Sequence, residues 1–104
     1  MRTAQSLYTT LQGTNLPCAY SHFQKPIAPP YLVYIGTGQN QMAADNTRYW
    51  KENTYQVEYY FKEKNEENEE AIEAALIAEG FLFEKSEDTF IDDEGVFVIY
   101  YSIN

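Results

Sequence analysis

The chain has 104 residues, a formal charge of −9 at pH 7 and a pI near 4.4. This length fits a single domain, residues 1–104, that can bury a modest core without disulfides. The acidic balance disfavours binding to nucleic acid or to an anionic membrane surface, because both need clustered Lys and Arg. Cys18 is the only cysteine, which excludes an internal disulfide. With no signal-peptide pattern and no apolar segment of membrane-spanning length, we expect a protein kept in the cytoplasm until it assembles.

The chain begins with a predicted helix and strand, followed by an irregular stretch. Residues 3–12 are predicted to form a short helix, because Thr3 can cap its start and Gly13 can end it. The segment "PCAYSHF", residues 17–23, favours a strand. The segment "QKPIAPP", residues 24–30, cannot form regular structure, because its three prolines remove hydrogen-bond donors and hold the chain extended.

Two segments with opposite character come next. Residues 31–38, "YLVYIGTG", are a short apolar run ended by glycines, which predicts a buried strand. Residues 39–51, "QNQMAADNTRYWK", have no clean hydrophobic period, and we expect a long loop there. Loops of that length inside compact domains are often functional.

The middle of the chain joins a strand tightly to a helix. Hydrophobic residues first alternate with polar ones and then recur three and four apart, after a run of acids. Asn65 or Asn68 can cap the helix, and Gly80 can end it. The acids near its first turn suit the helix macrodipole; a charged contact surface is the alternative use. The residues of these patterns are Tyr55, Val57, Tyr59 and Phe61 in the strand and Glu66, Glu67, Glu69 and Glu70 in the acidic run.

The chain ends in a predicted β-hairpin. Residues 81–91 and 95–103 flank the turn "DDEG", which lacks the acid spacing of a calcium loop. The predicted order is therefore α-β-β-β-α-β-β. This order predicts an α+β fold with one mixed, mostly antiparallel sheet and the main helix packed on one face.

Two of the predicted strands are apolar on both faces. Residues 31–35 and 96–101 present hydrophobic side chains to both sides of the sheet. The second helix can cover one side. The short first helix either helps to cover the other side or leaves it to a partner, since large exposed apolar patches usually mark interaction sites.

No motif predicts catalysis, so we expect a protein that is not an enzyme and needs no metal or cofactor. His22 is the only histidine and lies four residues from Cys18 on the predicted strand. Their side chains would share a face but sit too far apart to hydrogen-bond as a nucleophile and base. The ligand spacing of a zinc site is missing, and "GTG" at 36–38 lacks the third glycine of a dinucleotide-binding loop.

The candidate contact residues are aromatic, basic or in the proline-rich stretch. Tyr, Trp and Arg are the types most enriched at interface anchor points, and a proline-rich segment loses little entropy on docking. The alternative is that these aromatic side chains simply pack over the sheet edge. The predicted interface residues are Pro29, Pro30, Tyr31, Arg48, Tyr49, Trp50 and Tyr60.

The order of these landmarks resembles a known group of proteins. The features are "HF…PPYLVY", "ADN" before an aromatic-rich strand, "YQVEYYFK", the acidic helix and the closing aromatic hairpin. Over nearly its whole length the chain is similar to tail terminator, or tail completion, proteins of long-tailed bacteriophages and Gram-positive prophages, which are encoded among the head-to-tail joining genes.

The resemblance implies a structural protein without catalytic residues. It implies a homo-oligomeric ring, commonly a hexamer, that terminates the tail tube and joins it to the head connector or stopper protein. The implied location is the host cytoplasm during assembly and then the virion neck. The alternative is a small acidic phage-encoded module that binds and inhibits a host protein, and a small hydrolase using His22 is a third, weaker option.

Overall fold

The computed structural model describes the backbone of residues 3–44 and 48–103 and the side chains of 3–39 and 52–103. The described residues form two helices and a six-stranded mixed sheet, so the predicted α+β class is confirmed. None of the helices that the structure describes is long and apolar enough to cross a bilayer. In chain order the elements are α1 (Ala4–Gln12), β1 (Cys18–Tyr20), β2 (Tyr31–Ala44), β3 (Arg48–Phe61), α2 (Glu66–Ala78), β4 (Phe83–Lys85), β5 (Thr89–Ile91) and β6 (Val96–Ile103).

The sheet is antiparallel except at one edge. Its strand order is β1-β2-β3-β6-β4, with β5 also paired to β6. Only β1 and β2 run parallel, with Cys18 opposite Leu32. Because parallel neighbours cannot be joined by a tight hairpin, the chain must cross a face of the sheet between them. The irregular residues 21–30 make this connection, and we call them the crossover segment.

Strand β1 is shorter than predicted. It ends at Tyr20, because Ser21 adopts a φ of 66° and turns the chain away from the sheet. The Tyr20 hydroxyl then accepts a hydrogen bond from the Gly36 N–H at 3.1 Å, which satisfies a donor on the edge of β2 that no strand reaches.

The predicted loop at 39–51 is wrong for most of its length. Strand β2 continues to Ala44 and β3 begins at Arg48, with pairs running from Gly38–Thr54 to Ala44–Arg48 after a bulge at Thr37. Residues 45–47 of that prediction lie outside the described part of the chain. The sequence of 39–51 shows no hydrophobic period, so the backbone pairing rather than side-chain alternation identifies these strands.

Residues 36–44 and 48–54 therefore form a two-stranded ribbon that projects from the sheet. Beyond Tyr34 no strand pairs with the outer side of β2, and β6 pairs with β3 only as far as Tyr55. At about 3.3 Å per residue the ribbon extends roughly 25 Å past the body. The molecule accordingly measures 50 × 27 × 26 Å, and its radius of gyration is 15.0 Å, against about 13 Å for a compact chain of this length.

Both helices begin and end with recognisable caps. In α1, Thr3 and Ser6 form a capping box, and Gly13 follows the last turn as predicted. Asn65 caps α2 by accepting the Asn68 N–H at 3.2 Å. At the other end Gly80 has a φ of 79°, and the Phe81 N–H donates to the Leu76 carbonyl, which is the Schellman arrangement.

One acid of the predicted helix start has a buried, paired role. Glu69 is 3% exposed, and its carboxylate lies 2.7 Å from the Lys64 ammonium and 2.9 Å from that of Lys85. Burial alone would raise the pKa of Glu69, but the two ammonium groups outweigh it and lower the pKa below its usual value. Lys85 also contacts Glu73 at 2.8 Å. This cluster ties α2 to β4.

The strand predicted at 81–91 is split in two. Its halves, β4 and β5, both pair with β6, but the register shifts by one residue between Lys85–Tyr101 and Thr89–Val98. Ser86 bridges the bulge, since its N–H donates to the Tyr100 carbonyl and its hydroxyl accepts the Tyr100 N–H. The bulge brings Phe83 to the face that α2 covers.

Both helices pack on the same face of the sheet, so of the two alternatives for α1, the one in which it helps to cover the other face is wrong. The buried core lies between the two helices and the sheet. It contains side chains from both helices and from β2, β3 and β6. The ring of Tyr8 on α1 stacks on Tyr34 of β2 at 5.9 Å, which anchors α1 over the parallel edge. Fully buried core residues are Leu7, Leu11, Leu32, Val57, Tyr59, Ile72, Leu76, Ile99 and Tyr101.

Candidate interaction face

The side of the sheet opposite the helices carries a mixed aromatic and apolar surface, which we call the open face. No helix in the described part of the chain lies on it. Alternation along β2, β3 and β6 and their pairing place these side chains together. The central members of the open face are Tyr31, Val33, Ile35, Gln56, Glu58, Tyr60, Val96, Val98 and Tyr100.

The valines of the open face are buried without belonging to the core. Val33 and Val96 are each 5% exposed and Val98 is 0% exposed, yet all three lie outside the core cluster beneath the helices. Half-buried tyrosines stand on the same face beside them, at 31, 60 and 100. Amphipathic rings therefore shield the aliphatic layer while their own outer surfaces remain accessible.

Aromatic stacking organises the end of the open face nearest the start of β2. The Tyr31 and Tyr60 rings stack with centroids 5.0 Å apart, and Phe23 of the crossover segment meets Tyr31 edge-on at 5.3 Å. The Tyr60 hydroxyl donates to Glu58 Oε1 at 2.6 Å, and Gln56 Nε2 donates to Glu58 Oε2 at 3.0 Å. Burial, and then the hydrogen bond to Glu58, raise the pKa of Tyr60.

Two carboxylates give this region a negative character. Glu58 is half-buried, and Glu94 is exposed in the turn before β6. Among the side chains that the structure describes, neither forms an ion pair. Burial raises the pKa of Tyr31, and Glu94 and Glu58 raise it further. The half-buried Glu58 carboxylate accepts hydrogen bonds from the neutral donors Gln56 and Tyr60. An added cation at this position would therefore gain a favourable interaction with it.

A groove of about 500 Å³ separates the crossover segment from the sheet. It exists because the crossover segment passes over the open face and its prolines hold it extended rather than packed flat. The groove thus combines aromatic walls with charge of both signs, which suits a partner that offers aromatic and cationic side chains. Its main lining residues are Phe23, Lys25, Ile27, Tyr31, Tyr60 and Glu94.

The structure divides the predicted interface residues between two distant places. Tyr31 and Tyr60 meet on the open face. Arg48, Tyr49 and Trp50 occupy the other end of β3, at positions opposite Ala44, Ala43 and Met42; this is about 40 Å from Tyr60 along the strand.

Pro29 and Pro30 occupy a third position. They precede Tyr31 but line a separate groove of about 380 Å³, with Tyr59 and Lys62. The two prolines are therefore close in sequence to Tyr31, but they do not line the groove that Tyr31 and Tyr60 line.

Sequence reasoning missed part of the groove. Phe23 and Glu94 were not among the predicted contact residues, because residues 17–23 resembled a strand and "DDEG" resembled an ordinary turn, whereas Ile27 belongs to the proline-rich stretch that was expected to dock. Glu58 lies on the polar face of an alternating strand, where an acidic residue is ordinary and does not indicate a contact site. The available signal was its neighbour Tyr60, an aromatic residue on a face that should have been polar.

The residues considered for chemistry do not form a catalytic arrangement. Cys18 is half-buried on β1, where burial raises the pKa of its thiol to about 11. His22 is exposed beyond the end of β1, with Nδ1 3.2 Å from the Ser21 hydroxyl. The predicted strand that would have carried both residues on one face stops before His22. Within the described residues, no three His, Cys, Asp or Glu side chains are grouped to hold a metal ion.

No protein-family model matches the chain, and no curated protein matches it.

Proposed function

We propose that this protein is a structural component of a long-tailed bacteriophage. It assembles into a ring at the head–tail junction, where it terminates the tail tube, joins it to the head connector, or both. It acts without catalytic residues and without a cofactor. The observation that carries the proposal of self-assembly is the open face, an aromatic sheet surface that neither helix covers. The phage setting is supported by the resemblance of the sequence landmarks to tail terminator proteins.

Two features of the molecule support a ring rather than a symmetric pair. A ring needs two different surfaces on each subunit, whereas a two-fold dimer pairs one patch with itself. The open face and the stretch Arg48–Lys51 are such a pair of surfaces, and Arg48 lies about 40 Å from Tyr60 along β3. Both contain residue types that serve as interface anchors.

The charge supports a position around DNA without binding to it. A chain with a formal charge of −9 repels phosphates, so a ring of such chains lets a genome pass without holding it. Salt screens this repulsion over about 8 Å at physiological ionic strength, so it acts mainly at close approach.

The test of the proposal is the location and the mass of the protein. Immunogold labelling of phage particles should mark the neck, and native mass spectrometry of the purified chain should give a ring, with six copies as the expected number. Particles made without the gene should contain heads and tails that are not joined. Absence of the chain from particles, together with a tight one-to-one complex with a host protein, would instead establish the inhibitor alternative.

A further inference from the structure

We infer that the ribbon of one copy, residues 36–44 and 48–54, docks in the groove on the open face of the next copy. The inference rests on the proposed ring and names its contact: the stretch Arg48–Lys51 meets the aromatic and acidic lining formed by Tyr31, Tyr60 and Glu94. Each subunit gives a ribbon to one neighbour and accepts a ribbon from the other.

The ribbon needs a surface to pack on. A two-stranded ribbon alone is marginally stable in water at best, and beyond Tyr34 and Tyr55 neither β1 nor β6 supports it. Its strands are the direct continuations of β2 and β3, joined to them across the bulge between Gly36 and Gly38. A second copy of the chain can supply the surface that the ribbon needs.

Charge favours a second copy as that molecule. The sequence from 36 to 54 contains two acids and two bases, so the ribbon is neutral within a chain whose formal charge is −9. The two bases, Arg48 and Lys51, fall within four residues that also include Tyr49 and Trp50. Two copies approaching by their bodies repel each other, whereas a neutral ribbon with a basic aromatic stretch can approach an acidic body.

The groove offers the matching chemistry. Glu94 and the adjacent Glu58 form no ion pair among the described side chains, while Lys25 is the one ammonium lining the groove. Cationic groups of an incoming ribbon gain from these carboxylates, and its aromatic rings gain from Phe23, Tyr31 and Tyr60. The volume of about 500 Å³ accommodates anchor side chains rather than a whole domain.

Cross-linking tests the contact directly. In a full-length chain carrying Cys18→Ala, the pair Lys25→Cys and Tyr49→Cys places one thiol at the groove and one in the ribbon. Mild oxidation should give a ladder of covalent multimers that ends at the subunit number of the ring. The matched control replaces Lys62, an exposed lysine outside this groove, in place of Lys25. It should give no ladder, and circular dichroism should show that both variants are folded.

A charge change gives an independent measurement. Glu94→Lys should weaken self-association at least tenfold in sedimentation equilibrium. Asp93→Lys changes the same charge in the same turn but lies outside the groove lining; it should leave association unchanged or tighten it, because it reduces the net repulsion. Equal effects of the two variants would overturn the inference.

The outcomes separate this inference from the proposed function. Rings that form without the Lys25–Tyr49 cross-link reject the ribbon contact and leave the ring standing. A chain that stays monomeric and gives no ladder rejects the contact, whatever the neck labelling shows. Absence of the chain from phage particles rejects the proposed function even if the ladder forms.

Discussion

Glu69 is a buried acid whose ion pairs link α2 to β4. Its folded-state pKa is lowered, so its contribution to stability is fully present above the ordinary carboxyl value of 4.5 and is lost as the pH falls through the folded-state value. We expect Glu69→Gln to lower the free energy of unfolding by about 1.5–3 kcal/mol at pH 7. The difference from the unmodified chain should be smaller at pH 3.5 than at pH 7, because the contribution of the Glu69 carboxylate decreases as the pH falls below 4.5.

Urea unfolding followed by circular dichroism at both pH values measures this effect. Glu70→Gln is the matched control, because Glu70 is exposed on the same helix and forms no ion pair among the described side chains. A Glu69 variant that loses the same free energy at both pH values would show that packing, rather than charge, gives the residue its role.

Cys18 is expected to react slowly despite being half-exposed. Burial raises the pKa of its thiol to about 11 from 9.0, so at pH 8 the reactive thiolate is about 100-fold rarer than in the unfolded chain. A disulfide reagent such as dithionitrobenzoate should therefore label the folded protein about 100-fold more slowly than the protein in guanidinium chloride. Equal rates would mean that β1 opens readily, and the edge of the sheet would then be less stable than its contacts suggest.

At the scale of the elements, Gly80 ends α2 in a conformation that other residues rarely adopt. Its φ of 79° places it in the left-handed region, where an ordinary L-residue loses roughly 1–2 kcal/mol. We expect Gly80→Ala to lower the free energy of unfolding by about 1 kcal/mol. Gly80→Asn is the matched comparison, because asparagine tolerates this region, and it should cost clearly less. If thermal and urea unfolding rank the two variants equally, the Schellman turn does not limit stability here.

The elements also show what sequence can and cannot predict. Helices α1 and α2 were predictable because Thr3, Asn65 and Gly80 mark their ends by local hydrogen-bonding chemistry. The ribbon was not, because the sequence of 39–51 has no hydrophobic alternation to detect. The split of 81–91 depends on a bulge around Ser86, and a one-residue shift in pairing leaves little trace in composition.

The candidate site was predicted in part for a similar reason. Tyr31 and Tyr60 were identified by residue type, which indicates that a side chain can anchor an interface but not what lies beside it. Their stacking, and the groove next to them, depend on the parallel β1–β2 pair that sends the crossover segment over the open face. An amphipathic pattern likewise shows that one side of a helix packs against the core. It does not show which face of the sheet the helix covers.

At the scale of the whole molecule, we expect the ribbon to contribute little to the free energy of unfolding of the body, which is the rest of the molecule. No member of the buried core cluster comes from the ribbon side chains that the structure describes, at 36–39 and 52–54. This arrangement is expected if the ribbon serves contacts between molecules, because an element that only stabilised the monomer would bury its own side chains in the body.

Excising the ribbon tests that division of roles. We replace residues 38–53 with Ser-Asn-Gly-Ser, which keeps Tyr55 and the pairing of β3 with β6. The free energy of unfolding should change by about 1 kcal/mol or less, since a shorter connection costs little entropy and the described side chains at 38–39 and 52–53 are not in the core cluster. Self-association measured by sedimentation velocity should disappear. A chain of full length with Arg48, Tyr49 and Trp50 replaced by serine should behave in the same way, because it keeps the ribbon's length but removes the groups proposed to fill the groove. If the excised protein still forms rings, the ribbon is not the contact; if it fails to fold, the ribbon belongs to the stability of the monomer, and the argument for a neighbouring copy loses its basis.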